Sequence, residues 1–166
     1  MMSIVAVFDF RFICVLLFCL GDCIAFGISS ISVDKICEGN PTLTLPHDDE
    51  CQLYYDCSAL DPPSFSPNTK YIRECKYPQL FSTKSLKCED FDSVVCGPRT
   101  EFKQKCDYRA EQCNGPNCIN CLMENPSCEG YGDGENHHSS KPGSPWRMEC
   151  YKGRLIGTFL ADLNQD

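Results

Sequence analysis

The chain has 166 residues, with 15 cysteines, 15 basic and 23 acidic side chains, and its net charge is −8. This acidity argues against nucleic acid as a partner, because phosphates are bound by patches of Lys and Arg. Beyond the first 25 residues, apolar side chains come in groups of two or three and keep no sustained helical period. We therefore predict small modules held by disulfides rather than one ordinary hydrophobic core.

The N-terminal residues have the pattern of a secretory signal peptide. Arg11 precedes the apolar run Phe12–Leu20, and the small-residue stretch that ends at Ala25 offers a cleavage point. A membrane span is the alternative, but it needs about 20 apolar residues without charge, and Arg11 and Asp22 interrupt this stretch. We predict that residues 1–25 are a signal peptide and that the exported chain keeps no membrane anchor.

The cysteine count supports export. Three of the 15 cysteines precede Ala25, so an even number, twelve, remains in the predicted mature chain. Paired disulfides need an even number, and the secretory route is oxidising. We divide the chain into a leader at 26–36, a six-cysteine module at 37–96, a cysteine-rich linker at 97–127 and a C-terminal segment at 128–166.

The first module contains most of the strand-like sequence. The segment Cys51–Cys57 is short and rich in β-favouring aromatic residues. Because side chains alternate along a strand, we expect Leu53 and Tyr55 to face inward with the two cysteines, and Tyr54 and Asp56 to face outward with Gln52. Residues 71–75 predict a second strand. Between Cys75 and Cys88, Leu80-Phe81 and the turn-like Ser82–Ser85 predict a hairpin clasped at its ends by these two cysteines.

These residues also carry a family resemblance. The sequence contains Cys37, Leu45-Pro46-His47 before Cys51, Tyr54-Tyr55-Asp56-Cys57, Cys75, Leu80-Phe81 before Cys88, and Val94-Val95-Cys96. This order resembles the peritrophin-A type chitin-binding domain, which occurs in arthropod gut linings and cuticle and in molluscan shell matrix proteins. The resemblance covers residues 37–96. It departs from the family in the long, proline-rich gap between Cys57 and Cys75 and in Ser82, where the family commonly has Asn or Asp.

The resemblance implies a fold and a set of bridges. The implied fold is a small, disulfide-rich, distorted β-sandwich, in which a three-stranded antiparallel sheet is followed by a two-stranded hairpin. The implied disulfides are Cys37–Cys57, Cys51–Cys96 and Cys75–Cys88, one of 15 pairings that the sequence itself allows. A cysteine-rich irregular segment and a partial second module would follow.

The resemblance further implies a sugar-binding surface. Pyranose rings have flat C–H faces and hydroxyl edges, which suit exposed aromatic rings and short polar side chains. The candidate chitin-binding residues are Tyr54, Asp56, Tyr71, Tyr77 and Ser82. For Tyr54 and Tyr77, ordinary packing explains the residue equally well. For Tyr55 and Phe81, packing is the favoured explanation.

The C-terminal segment resembles the front of a second, divergent module. It begins with Cys128-Glu-Gly and continues to Cys150-Tyr-Lys-Gly-Arg. The resemblance implies a Cys128–Cys150 bridge, with Ser144 standing where a further cysteine is expected. By strand alternation we expect Trp146 to point inward with Cys150 and to be core rather than a sugar platform.

Four cysteines remain between these modules. They are Cys106, Cys113, Cys118 and Cys121. The Cys118-Ile-Asn-Cys121 spacing also occurs in zinc and redox sites, but two further disulfides are favoured in an exported chain. Three pairings stay open. We predict no metal and no cofactor.

No catalytic motif emerges from the sequence. The three histidines lie outside nucleophile and metal motifs, and we expect His137 and His138 to be solvated in a polar loop. We predict a secreted, non-catalytic chitin-binding matrix protein whose partners are chitin or a related N-acetylglucosamine polymer, and other matrix proteins. The alternatives are a mineral-associated acidic protein, using Asp48–Glu50, and a secreted inhibitor or defence protein, using the loop Asp61–Asn68.

Overall fold

The computed structural model describes residues 32–113 and 115–161, which belong to one compact unit. The predicted signal peptide at 1–25 and most of the predicted leader lie outside these residues. No helix in the described ranges has both the length and the apolar character that crossing a bilayer requires.

The first sheet is three-stranded and antiparallel. Its strands are β1 (Thr44–Pro46), β2 (Leu53–Asp56) and β3 (Ile72–Glu74), with β2 in the middle. A helix that the sequence did not indicate, α1 (Val33–Gly39), precedes them, and the Cys37–Cys57 disulfide joins this helix to the end of β2. Leu53 and Ile72 are buried, as expected for the inner face of the sheet.

A two-stranded hairpin follows. It consists of β4 (Leu80–Ser82) and β5 (Lys87–Glu89), with Phe81 opposite Cys88. Cys75 is not part of the hairpin but precedes it, directly after β3. The Cys75–Cys88 bridge therefore fastens the hairpin to the first sheet. The prediction that this bridge clasps the hairpin's two ends was wrong, because the chain between Cys75 and Leu80 turns before it enters β4.

The linker is irregular and is held by two disulfides. A short 3-10 turn at Phe91–Ser93 lies near the end of the first module. Within the linker, 3-10 turns occur at Lys105–Asp107 and Arg109–Glu111, and a one-turn helix, α2, spans Cys121–Glu124. The disulfides are Cys106–Cys121 and Cys113–Cys118, which resolves the pairing that the sequence left open. Cys118 and Cys121 therefore have different partners and do not form a shared zinc or redox site.

The C-terminal residues form a second three-stranded antiparallel sheet. Its strands are β6 (Gly134–His137), β7 (Trp146–Tyr151) and β8 (Arg154–Leu160), with β7 in the middle. The Cys128–Cys150 disulfide packs with Met148 and Leu155 in a small buried cluster. Leu155–Leu160 completes the sheet by pairing with β7.

Polar contacts fasten the C-terminal sheet to the linker, and the linker to the first module. Arg154 on β8 is fully buried and reaches Glu101 and the carbonyl oxygen of Phe102. Tyr108 in the linker is buried and donates a hydrogen bond to the carbonyl oxygen of Gln79. The three sheets, with six disulfides, thus form a small, mostly β structure in which the segments are packed together.

Candidate functional site

Three of the five predicted sugar-binding residues share one face of the first sheet. Tyr54 and Asp56 are two positions apart on β2, and Arg73 lies directly opposite Tyr54 on β3. Tyr71 precedes Arg73 by two residues, and its carbonyl oxygen accepts the Asp56 backbone N–H at 2.8 Å. Since opposite residues and residues two apart point to the same side of a sheet, Tyr54, Asp56 and Tyr71 lie together.

Tyr54 is half-buried rather than free. Its ring is stacked on the buried ring of Phe81 from β4, with centroids 4.7 Å apart and planes at 9°. Burial raises the pKa of its hydroxyl, with the Asp56 carboxylate as a further cause. The side of β2 that was expected to be fully outward therefore also receives the hairpin. One face of the Tyr54 ring therefore packs against Phe81, while the residue keeps some exposure.

Asp56 and Tyr71 complete this face. Both are half-buried, like Tyr54. One oxygen of Asp56, Oδ1, accepts hydrogen bonds from the backbone and hydroxyl of Ser58 at 2.9 and 2.6 Å, which fixes the carboxylate in a local turn. The Lys70 ammonium lies 5.1 Å from the centre of the Tyr71 ring. An aromatic ring beside an oriented carboxylate is a combination that suits a sugar ring and its hydroxyl edge.

Arg73 stabilises the loop beside these residues. Its guanidinium donates to the carbonyl oxygens of Lys70 and Ile72, and to that of Asp61 in the long proline-containing loop. These bonds use its donors within the protein, so we assign Arg73 a positioning role at this face rather than direct ligand contact.

Tyr77 packs against the linker. Its ring meets the buried Tyr108 edge-on at 5.2 Å, and its hydroxyl donates to the carbonyl oxygen of Lys103 at 3.3 Å. Burial raises the pKa of Tyr77 to about 12. Tyr77 also lines a depression of about 340 Å³ together with residues 155–158 of β8, so it faces the C-terminal sheet rather than the Tyr54 face. Of the two explanations that the sequence allowed, packing fits this geometry.

Ser82 lies inside the hairpin. It is 5% exposed, and its hydroxyl accepts the backbone N–H of Ser85 at 3.4 Å across the turn. Because the side chain has almost no surface and already serves the turn, it is not positioned to contact a ligand. This corrects the prediction that Ser82 contributes to a sugar site.

The acidic run Asp48–Glu50 is partly used inside the protein. The Glu50 carboxylate pairs with Arg109 of the linker and accepts the Gln52 side-chain amide. The backbone N–H groups of Asp49 and Glu50 both donate to the ring nitrogen Nδ1 of His47. These contacts give the run a structural role and weaken the alternative of a mineral-binding acidic surface.

His138 differs most from its predicted environment. The sequence predicted a solvated loop residue, but its side chain is 2% exposed and meets the Trp146 ring edge-on at 6.4 Å. Neither ring nitrogen has a hydrogen-bond partner in the described part of the chain. Burial, and after it the positive charge of Lys141, lowers the pKa of His138. The sequence carried no signal for this, because the loop is polar and the cover comes from β7.

We predict that this histidine makes stability depend on pH. A folded-state pKa below the unfolded value of about 6.5 means that the unfolded chain binds the proton more readily. Stability should therefore be complete above pH 6.5 and fall as the pH decreases below it. Thermal unfolding midpoints at pH 7.5, 6.5 and 5.5 measure this effect. We expect His138→Gln to flatten the slope, whereas His137→Gln, at the exposed neighbour, should keep it; equal slopes in all three proteins would contradict the assignment.

The chain was also compared with known proteins. The comparisons with family models, with curated proteins and with solved structures find no match. The described residues define the class as a small, disulfide-rich β protein with three antiparallel sheets.

Proposed function

We propose that this chain is a secreted, non-catalytic chitin-binding protein of an extracellular matrix such as cuticle, peritrophic lining or shell. The observation that carries the proposal is the first module's framework: the disulfides Cys37–Cys57, Cys51–Cys96 and Cys75–Cys88, on a three-stranded sheet followed by a hairpin. These are the bridges and strands that the peritrophin-A resemblance implies. In this proposal the sheet and the hairpin are the two layers of a distorted β-sandwich.

The binding surface in this proposal is the face that carries Tyr54, Asp56 and Tyr71. The Tyr71 ring and the exposed part of Tyr54 would contact the C–H faces of successive sugar units, and the Asp56 carboxylate would accept hydrogen bonds from their hydroxyl or amide groups. Stacking of Tyr54 on Phe81 and the Asp56–Ser58 turn hold these groups in place before a ligand arrives. A prepositioned surface loses less conformational entropy on binding.

Export and the matrix setting are part of the same proposal. Six disulfides persist in oxidising compartments and not in the cytosol, which supports an extracellular location. The C-terminal sheet would be the partial second module, since its middle strand ends at a disulfide, Cys128–Cys150, as β2 ends at Cys37–Cys57. Other matrix proteins would be further partners.

Retention of the oxidised, exported chain on chitin beads, compared with cellulose beads, tests the function. We expect selective retention on chitin, and an apparent affinity about tenfold lower for Tyr71→Ala, because one aromatic contact contributes about 1.4 kcal/mol. Tyr54→Phe keeps the stack on Phe81 and removes only the hydroxyl, so it should fold normally and show a smaller loss.

Tyr151→Ala is the matched control, because Tyr151 is an exposed tyrosine on the other three-stranded sheet. It should be retained on chitin like the unmodified chain. Failure of the unmodified chain to bind chitin would refute the proposed function. If Tyr71→Ala and Tyr54→Phe both bind chitin like the unmodified chain, the proposed function stands but this face is excluded as its site.

A further inference from the structure

A second surface depression lies beside the C-terminal sheet, outside the face proposed above. Its volume is about 440 Å³, within the range of small-molecule sites. Its lining includes Tyr131, His137, His138, Ser139, Ser144 and Arg147. None of the described residues that line it is acidic, although the whole chain carries a net charge of −8. The lining is therefore neutral and basic, whereas the chain as a whole is acidic.

Tyr131 provides an aromatic platform at this depression. Its side chain is 41% exposed, and its backbone N–H donates to the carbonyl oxygen of Cys128 at 3.1 Å. Because Cys128 is bridged to Cys150 on β7, the turn that carries Tyr131 is fastened to the sheet. A fixed, exposed ring at the edge of a concavity is suited to stack on the apolar face of a sugar ring.

His138 gives the depression unused hydrogen-bonding capacity. The residue is almost fully buried in the wall, and both of its ring nitrogens lack partners among the described residues. Leaving a buried donor or acceptor unpaired costs about 1–3 kcal/mol, so native proteins rarely keep one without a role. A neutral imidazole has one donor and one acceptor, which match a sugar hydroxyl or an acetamido group.

The charged side chain that lines the depression, Arg147, is already engaged. It donates to the carbonyl oxygens of Ser144 and Trp146, and its Nε lies 3.4 Å from the Glu135 carboxylate. The Lys141 ammonium is not part of the lining and lies over the Trp146 ring at 4.3 Å. Among the lining residues, the hydrogen-bonding capacity that remains thus belongs to neutral groups, which favours a neutral ligand over a phosphate or sulfate.

We infer that this depression is a second carbohydrate site, which takes one N-acetylhexosamine unit. Tyr131 would stack on the ring, His137 and Ser139 would contact its hydroxyl edge, and His138 would bond the group that enters deepest. The identity of the sugar rests on the proposed function, and the second site would let one chain hold a polymer at two places. Two linked contacts raise the overall affinity for a polymer without any new contact to a single unit.

The chain contains its own reporter for this site. Trp146 is the single tryptophan in the sequence, and its ring contacts His138. We therefore expect its fluorescence to change when a ligand reaches His138, and the Tyr54 face has no tryptophan. We would titrate the oxidised chain with the N-acetylglucosamine trimer, and with the glucose trimer as control, and follow Trp146 emission. A saturable change with the N-acetylated trimer is expected.

The variants separate the two sites. We expect Tyr131→Ala to lower the apparent affinity measured by Trp146 emission about tenfold. Tyr71→Ala and the control Tyr151→Ala should leave this affinity unchanged. Tyr131 is exposed, so its replacement should not disturb folding, and circular dichroism checks this. An equal response to the glucose trimer would overturn recognition of the N-acetyl group.

The outcomes also distinguish this inference from the proposed function. Retention on chitin beads combined with constant Trp146 emission would overturn the second site and leave the proposed function standing. If Tyr131→Ala leaves the Trp146 response intact, the ligand binds elsewhere, and the proposed position of the second site is overturned. A Tyr131-dependent response without retention on chitin would support the second site and refute binding of the polymer.

Discussion

Replacing Cys51 and Cys96 together by alanine is expected to lower the free energy of unfolding by about 4 kcal/mol, because this disulfide closes a loop of 45 residues in the unfolded chain. Cys51 is also fully buried at a junction. Its backbone N–H donates to the carbonyl oxygen of Thr100, and its carbonyl oxygen accepts the N–H of Phe81. Loss of the bridge would loosen the sheet, the hairpin and the linker together. Unfolding in guanidinium chloride, followed by circular dichroism, measures the change.

The Cys113–Cys118 disulfide provides the control for this prediction. It spans only five residues in an exposed part of the linker, so its removal should cost about 2 kcal/mol by the same chain-entropy argument. Since domains of this size are typically stable by about 5–15 kcal/mol, the two double variants should be clearly separated. An equal loss in both variants would show that loop length and burial do not determine how these bridges stabilise the fold.

The cysteine framework was the most predictable part of this fold. The segment Cys51–Cys57 is short and rich in β-favouring aromatic residues, and its strand, β2, forms where this composition indicates. Residues 71–75 likewise contain β3. The disulfide-rich β class is confirmed, because β-favouring segments between closely spaced cysteines leave the chain few other ways to fold.

Elements that depend on tertiary contacts were not predicted from the sequence. Both faces of the strand β8 are partly exposed, so its sequence does not alternate between apolar and polar residues. The strand forms because β7 provides a hydrogen-bonding partner. The burial of Ser82 and of His138 was missed for a related reason. Both belong to polar stretches of the sequence, so local composition indicated exposure, but Ser82 is part of β4 and His138 packs against Trp146 of β7.

The candidate site was predicted only in part. Strand alternation brought Tyr54 and Asp56 to one face, and the register of β3 added Tyr71. Alternation could not show that the hairpin would stack on Tyr54, or that Tyr77 would turn toward Tyr108 in the linker. The first contact joins the sheet to the hairpin within the first module, and the second joins that module to the linker. Both depend on tertiary packing, which the local sequence pattern does not contain.

Replacing Arg154 by methionine is expected to lower the free energy of unfolding by about 2–3 kcal/mol, because its charge-assisted hydrogen bonds join two parts of the fold. The guanidinium is buried, donates to the carbonyl oxygen of Phe102 at 2.8 Å and pairs with Glu101 at 2.7 Å. It also lies 4.6 Å from the centre of the Phe91 ring. Methionine keeps the apolar stem, so the loss should come from these contacts. Equilibrium unfolding in urea measures it.

Lys152→Met is the matched control for Arg154→Met, because Lys152 reaches the same region of the chain through an exposed ion pair with Asp92. An exposed pair of this kind contributes little, since water screens the charges and both side chains lose freedom. We expect almost no change for Lys152→Met, and an intermediate loss for Arg154→Lys, which keeps the charge but cannot form the two-pronged contact. If Lys152→Met were as destabilising as Arg154→Met, net charge rather than the buried contacts of Arg154 would hold the C-terminal sheet in place.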